Sequence, residues 1–264
     1  MERIILIETS TALCSVALAE DGKVTAYRES SAPKAHASLT AVFVQEVLEE
    51  RGIKLADCDA VCVSKGPGSY TGLRVGVSTA KGLCFGAGKP LVAVGTLDTL
   101  VAQAAEGADT DITLDPSNVI PSSHNVIPSE VEGSTPYRFI IPMIDARRME
   151  VYSAVFEAQD VIARSEAKWQ SRQITETTPV IVDETSFAEY LEQGTVLFIG
   201  DGAGKCADVI KHPNAHFCQC NPKASAMLQP ALAAYRAQQF EDVAYFEPFY
   251  LKEFVATVSK KKLF

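Results

Sequence analysis

The chain has 264 residues, 47% hydrophobic and 22% charged, enough for a substantial core in one large domain or two small ones. Its 24 basic residues against 33 acidic ones leave a net charge of −9, which excludes broad electrostatic binding of nucleic acid, because that needs Lys and Arg to replace counterions on phosphates. No apolar run approaches the roughly 20 residues of a membrane span, and MERIILIETS has no apolar core of signal-peptide length.

In chain order, residues 3–10 and 13–20 read as two strands joined by a tight Ser/Thr turn. Asp21 and Gly22 are a hairpin signal, so 23–30 reads as a third strand. Residues 37–51 read as a helix ended by Gly52. A buried strand at 59–64 runs into a glycine-rich turn, then a helix at 69–87, a strand at 90–95 and a helix at 96–106. Three strands as a meander followed by alternating helices and strands is an α/β pattern.

The composition then changes. Residues 108–136 are rich in Asp, Ser, Pro and Asn, and NVIPS occurs at both 118–122 and 125–129. This reads as an inserted, mostly disordered loop. A second insert reads at 161–173 and holds the single tryptophan, Trp169. Between them, 137–144 and 149–157 read as paired strands. A strand at 179–182, a helix at 184–193, a strand at 195–199, a turn at 200–202 and a helix to about 211 follow. The helix expected at 224–240 must kink or restart at Pro230, and the aromatic tail 241–264 is expected to pack on the body. The expectation is two α/β lobes, 1–107 and 137–220, the first closed by 224–240.

The turn GPGSYTG (66–72) lies between a buried strand and an amphipathic helix. Gly66 and Gly68 allow backbone angles closed to other residues, and Ser69 or Thr71 can cap the helix. Free N–H groups there could hold a phosphate, yet neither a Walker P-loop nor a dinucleotide fingerprint is present. A tight structural turn explains the same glycines equally well. In the helix, Leu73, Val77, Ala80 and Cys84 form an apolar stripe, while Gly72, Gly76 and Ala80 form a smooth track. A helical glycine costs about 1 kcal/mol against alanine, so the track implies close approach of another helix, from this chain or from a partner. Helix 37–51 adds Leu39, Val42, Phe43, Val44, Val47 and Leu48, more apolar circumference than one buried stripe needs.

LIETSTALCSVAL (6–18), GPGSYTGLRVGVSTAKGL (66–83), PLVAVGTLDTL (90–100), DARRMEVY (145–152) and GDGA (200–203) together resemble the TsaB, or YeaZ, family. The resemblance is almost continuous over 1–107 and patchy over 137–205. It implies a two-lobed actin-like fold of the ribonuclease H-like class. It also implies an accessory, non-catalytic role in the cytoplasm. The family partners the transferase TsaD and, with the ATPase TsaE, serves synthesis of N6-threonylcarbamoyladenosine in tRNA, touching tRNA only through the complex. On this reading the interface comprises Leu39, Val42, Phe43, Glu46, Ser69, Tyr70, Thr71, Gly72, Leu73, Arg74, Val75, Gly76, Thr79 and Ala80. Gly76→Leu is then expected to block TsaD while leaving the fold intact, and the same helices could pair two copies when TsaD is absent.

The first hairpin resembles the phosphate-binding hairpin of actin-like kinases, but Glu8 stands at the Asp position and Ser10 at the Gly position. Independent ATP hydrolysis is therefore not expected. No tightly bound cofactor is expected; contact with ATP or ADP at the partner interface would involve Glu8, Thr9, Ser10, Thr11, Gly66, Gly68, Asp145, Arg147, Gly200 and Asp201. The metal-binding HxxxH pair of the catalytic relative is missing, because Thr40 follows His36. His36 either caps or packs near the helix start or makes a direct contact. Asp145, Arg147 and Arg148 either bind an anion or form a solvated charge cluster. Of the seven cysteines, Cys14, Cys62 and Cys84 lie in apolar runs, and no framework spacing occurs, so the set reads as reduced thiols. His212, His216, Cys206, Cys218 and Cys220 could supply soft-metal ligands, but Pro213 breaks the helix that would align them, and no metal is expected. The alternative function is an enzyme acting alone, a nucleotide-dependent phosphotransferase or a peptidase.

Overall fold

Strands β1 (Arg3–Glu8), β2 (Cys14–Glu20) and β3 (Lys23–Ser30) form an antiparallel meander. Asp21 and Gly22 between β2 and β3 both have positive φ, 47° and 78°, as a two-residue hairpin turn requires. The structure, a computed structural model, describes residues 1–109, 137–159 and 170–252. Of the two stretches read as inserts, 110–136 and 161–169 lie outside the described residues, as does the tail from 253.

Helix α1 (Ala35–Glu50) leads to β4 (Ala60–Ser64), and α2 (Tyr70–Ala87) leads to β5 (Leu91–Val94). Both strands run parallel to β1, so each needs a crossover, which the two helices supply. The sheet order is β3-β2-β1-β4-β5. In β1, Ile5 and Ile7 enter one core while Ile4 and Leu6 enter another. Burial on both faces explains an unbroken apolar run where a half-exposed strand would alternate.

The second half repeats the plan. Its strands are β6 (Phe139–Asp145), β7 (Glu150–Ser153), β8 (Phe156–Gln159), β9 (Gln170–Gln173), β10 (Thr178–Ile181), β11 (Val196–Gly200) and β12 (Ala215–Gln219). They order as β10-β7-β6-β11-β12, with β8 pairing both β6 and β9. The single strand expected at 149–157 is broken at Ala154 and Val155, whose side chains are buried. Residues 170–173, expected within an insert, are strand β9 and pair with β8.

Helix α4 (Ala188–Leu191) and helix α5 (Ala203–Ala207) are one turn each, shorter than expected. Strand β12 was not expected at all. Its Phe217 stacks on Phe198 of β11 at 4.9 Å, and Cys218 enters the opposite core. A short parallel strand buried on both faces leaves no period-two signal, and its His and Cys residues drew a ligand reading instead.

The helices at the join exchange sheets. α3 (Thr96–Asp109) follows β5, yet its Leu97, Leu100 and Val101 pack with Ile140, Ile144, Leu197 and Ile199 of the second sheet. The late segment, a 3-10 turn at Ala224–Met227 and then α6 (Leu228–Arg236), packs Met227, Leu228, Ala231 and Leu232 on the first sheet. Pro230 sits in the first turn of α6, where a missing N–H is harmless.

Candidate functional site

The glycine-rich turn is shut against the β1–β2 turn. The Ser69 N–H donates to the Ser10 carbonyl at 2.6 Å, and Thr9 Oγ1 donates to the Gly72 carbonyl at 2.8 Å. A Cβ at Gly68 would lie 2.3 Å from the Ser10 carbonyl oxygen, and one at Gly72 would lie 2.1 Å from that of Thr9. At Gly76 it would lie 2.2 Å from Thr9 Oγ1. These glycines therefore seat α2 on the chain's own hairpin. Ser69 caps the helix by accepting the Gly72 N–H at 3.3 Å.

That contact closes the hairpin that resembled a phosphate cradle. Glu8, Thr9 and Ser10 have no exposure and Thr11 has 5%. Gly66 is buried as well: its Cβ position lies 2.8 Å from the Phe249 carbonyl. Of the residues expected to contact an anion, Glu8, Thr9, Ser10, Thr11 and Gly66 are thus buried, while Gly68 stays partly exposed. Glu8 accepts the Ser10 N–H at 2.7 Å, and burial pushes its carboxyl up to about 7. His36 Nε2 lies 2.8 Å from the Thr11 carbonyl, and Thr40 Oγ1 donates to the His36 carbonyl at 2.6 Å. Of its two readings, the packing one fits: His36 ties the start of α1 to the hairpin.

The residues expected at a partner interface divide. On α1, Val42 is exposed and Leu39 and Glu46 partly so, whereas Phe43 is buried. Glu46 pairs with Arg28 at 3.0 Å. On α2, Ser69, Thr71 and Arg74 are exposed, and Tyr70, Val75 and Thr79 are partly exposed. Gly72, Leu73, Gly76 and Ala80 face inward, so no partner helix can lie on the track they form. Missed by the sequence reading are Gly82, Phe85 and Gly86, which continue the outer stripe of Val75 and Ser78 at helical spacing. Phe85 is 85% exposed, and a Cβ at Gly82 or Gly86 would meet nothing among the described residues within 4 Å. Their signal was present in the 3.6-residue period, but the same period also fits the inner track.

The segment 241–252 lies across this region. Glu241 bridges to Leu91 at the sheet edge, and the Phe249 N–H donates to the Lys65 carbonyl at 2.7 Å. Lys81 Nζ donates to the carbonyls of Ala244 and Phe246 at 3.0 and 2.9 Å. Tyr250 packs on Tyr70 with ring centroids 4.8 Å apart, and Lys252 pairs with Glu150 of β7.

The second group expected to meet an anion sits in the loops of the second sheet. Asp201 Oδ1 accepts the Asp145 N–H at 2.9 Å, and Asp145 Oδ1 accepts both the Arg147 N–H at 2.8 Å and Lys205 Nζ at 2.5 Å. Arg147 has φ 71° and Gly200 φ 135°, with the Gly200 Cβ position 2.3 Å from the Met143 carbonyl. Burial lifts the Asp201 carboxyl to about 6. Asp145, Arg147, Gly200 and Asp201 are thus brought together around an internal lysine. Among the described residues, no hydrogen bond or ion pair links them to the Glu8 hairpin. The His212 and Cys206 set is not assembled: Cys206 and Cys218 lie in different cores, and no three metal-ligating side chains cluster among the described residues.

A family model described as "TsaD: tRNA N6-adenosine threonylcarbamoyltransferase" matches residues 29–123. The tRNA threonylcarbamoyladenosine biosynthesis protein TsaB of Escherichia coli is 42% identical over 106 residues, 40% of this chain and 44% of that protein. The Bacillus subtilis protein of the same name is 30% identical over 154 residues, 58% and 55% respectively. The matches thus span about half the length of these relatives. YeaZ from Pseudomonas aeruginosa superposes with a TM-score of 0.72 over 95% of this chain and 100% of that one, at 22% identity, a likeness of fold. The sequence likeness to TsaB proteins therefore lies mainly in the first half of the chain, while the fold likeness to YeaZ runs along almost all of it: the chain is similar to TsaB (YeaZ) proteins and shares the two-sheet α/β fold of YeaZ.

Proposed function

We propose that this chain is an accessory, non-catalytic subunit in the synthesis of N6-threonylcarbamoyladenosine in tRNA, binding a TsaD-type transferase through the outer face of α2 and the neighbouring outer face of α1. The observation that carries the reading is the stripe Ser78, Gly82, Phe85 and Gly86. A glycine in a helix interior, as at Gly82, costs about 1 kcal/mol against alanine, and Gly86 adds a second in the last turn. At Gly82 and Gly86 nothing among the described residues repays that cost, since no described atom lies within 4 Å of the Cβ position at either. A smooth helical surface next to an exposed phenylalanine suits close approach of a partner backbone. The closed hairpin supports the non-catalytic half of the reading, because Glu8 cannot meet a nucleotide phosphate while Gly68 and Ser69 rest on Ser10. Any nucleotide at the assembled interface would be met by exposed groups such as Arg74 or Arg147. Names among the relatives support the pathway, and a cytoplasmic place follows from it.

The test is co-purification with the TsaD of the same organism. Phe85→Glu and Gly82→Leu should each abolish complex formation without lowering the melting temperature of the isolated chain. A complex that survives both changes removes this face from consideration. ATP turnover by the isolated chain, lost on Glu8→Ala, would instead establish the enzyme reading.

A further inference from the structure

In the β1–β2 turn the buried atoms Glu8 Oε2, Ser10 Oγ and Thr11 Oγ1 have no partner in good hydrogen-bond geometry, although the Ser10 and Ser64 hydroxyls lie near enough to the Glu8 carboxyl to lower its pKa somewhat. Buried polar atoms in folded proteins are nearly always paired. A buried carboxylate must be neutralised by a cation, a metal ion or a proton. Among the described residues no Lys, Arg or His forms an ion pair with Glu8. The turn above it is in tight contact, with Gly68 against Ser10 and Gly72 against Thr9, which favours the smallest neutralising species.

We propose that Glu8 is held as the neutral acid within the hairpin on which the turn 66–69 and α2 rest, and acts as a proton-controlled latch, so that losing this proton loosens the seat of α2. The rise of its carboxyl from the ordinary 4.5 to about 7 is in the same direction. The titratable groups that face it are Cys14 on β2 and Cys62 on β4, both thiols pushed up by burial. The His36 ring on α1 lies against the Thr11 carbonyl, with Nε2 at 2.8 Å. α2 presents Gly72 and Gly76 to the hairpin, and α3 presents Thr96, whose hydroxyl lies 2.8 Å from that of Ser64. The inference rests on the hairpin alone and holds whether or not α2 carries a partner.

The sign follows from linkage. The closed turn keeps the proton and the open turn releases it in the ordinary carboxylate range. Between about pH 4.5 and 7 the closed form therefore loses ground about tenfold per pH unit, and above 7 it loses no more. The Ser69 N–H, bonded to the Ser10 carbonyl, reports on closure. Its hydrogen-exchange protection factor should fall at least tenfold between pH 5 and 7 in the native chain and stay level in Glu8→Gln. In the native chain labelled with carboxyl 13C-glutamate, the Glu8 resonance should titrate near pH 7. A Glu8 resonance that titrates in the ordinary range, a protection factor independent of pH, or a metal ion found at Glu8 in a crystal would each overturn the latch. The resonance decides the matter even if Glu8→Gln does not fold.

Discussion

Along α2 the inner glycines and the outer glycines meet different surroundings. Gly72 and Gly76 press against Thr9, at positions where a Cβ would come within 2.1 and 2.2 Å of its oxygens. A Cβ at Gly82 or Gly86, on the opposite face, would meet no described atom within 4 Å. A helical glycine therefore reports that something comes close without saying what. For the inner pair it is the chain's own hairpin; for the outer pair the described residues offer no candidate.

The largest test of that contrast is Gly72→Ala. The added methyl would strike a backbone carbonyl, which cannot step aside as a flexible side chain can, so overpacking by about 3 kcal/mol is expected in urea unfolding. Gly76→Leu, first expected to spare the fold, should destabilise at least as much. A loss below about 1 kcal/mol at Gly72 would mean that α2 is not seated on Thr9. Next comes the pH dependence of the hairpin. With Glu8 near 7 in the folded chain against 4.5 unfolded, its contribution is complete below about pH 4.5 and is lost as pH rises to about 7. The loss is roughly 1.4 kcal/mol per pH unit, about 3 kcal/mol in all. Urea unfolding of the native chain and of Glu8→Gln across pH 4.5–8 should show that slope in the first and not in the second. The smallest effect is expected at Gly82→Ala, which should raise stability by up to about 1 kcal/mol, since alanine is the better helix former and has room. A loss there would show that the outer face is already engaged within the chain.

The first half was largely legible. The runs at 3–10, 13–20 and 23–30 became β1, β2 and β3, and the helix expected at 69–87 became Tyr70–Ala87. Long apolar periods and an Asp-Gly turn are local signals, and here tertiary contacts reinforced them. The second half was less legible because its helices are one turn long and its strands only four to seven residues, too short for a period to show. Glu8 and Ser10 were singled out for departing from the phosphate-hairpin pattern, yet their burial could not be read, because it is caused by a turn almost 60 residues further along.

What the sequence alone determined, then, is where the strands and long helices lie, that α2 needs unusual closeness at its glycines, and which family its motifs resemble. Tertiary structure decided which glycine faces inward, that α3 packs on the second sheet while α6 packs on the first, and that the hairpin is shut. The reason is physical: periodicity and turn chemistry act over a few residues, whereas burial and van der Waals contact depend on neighbours that the chain order does not reveal.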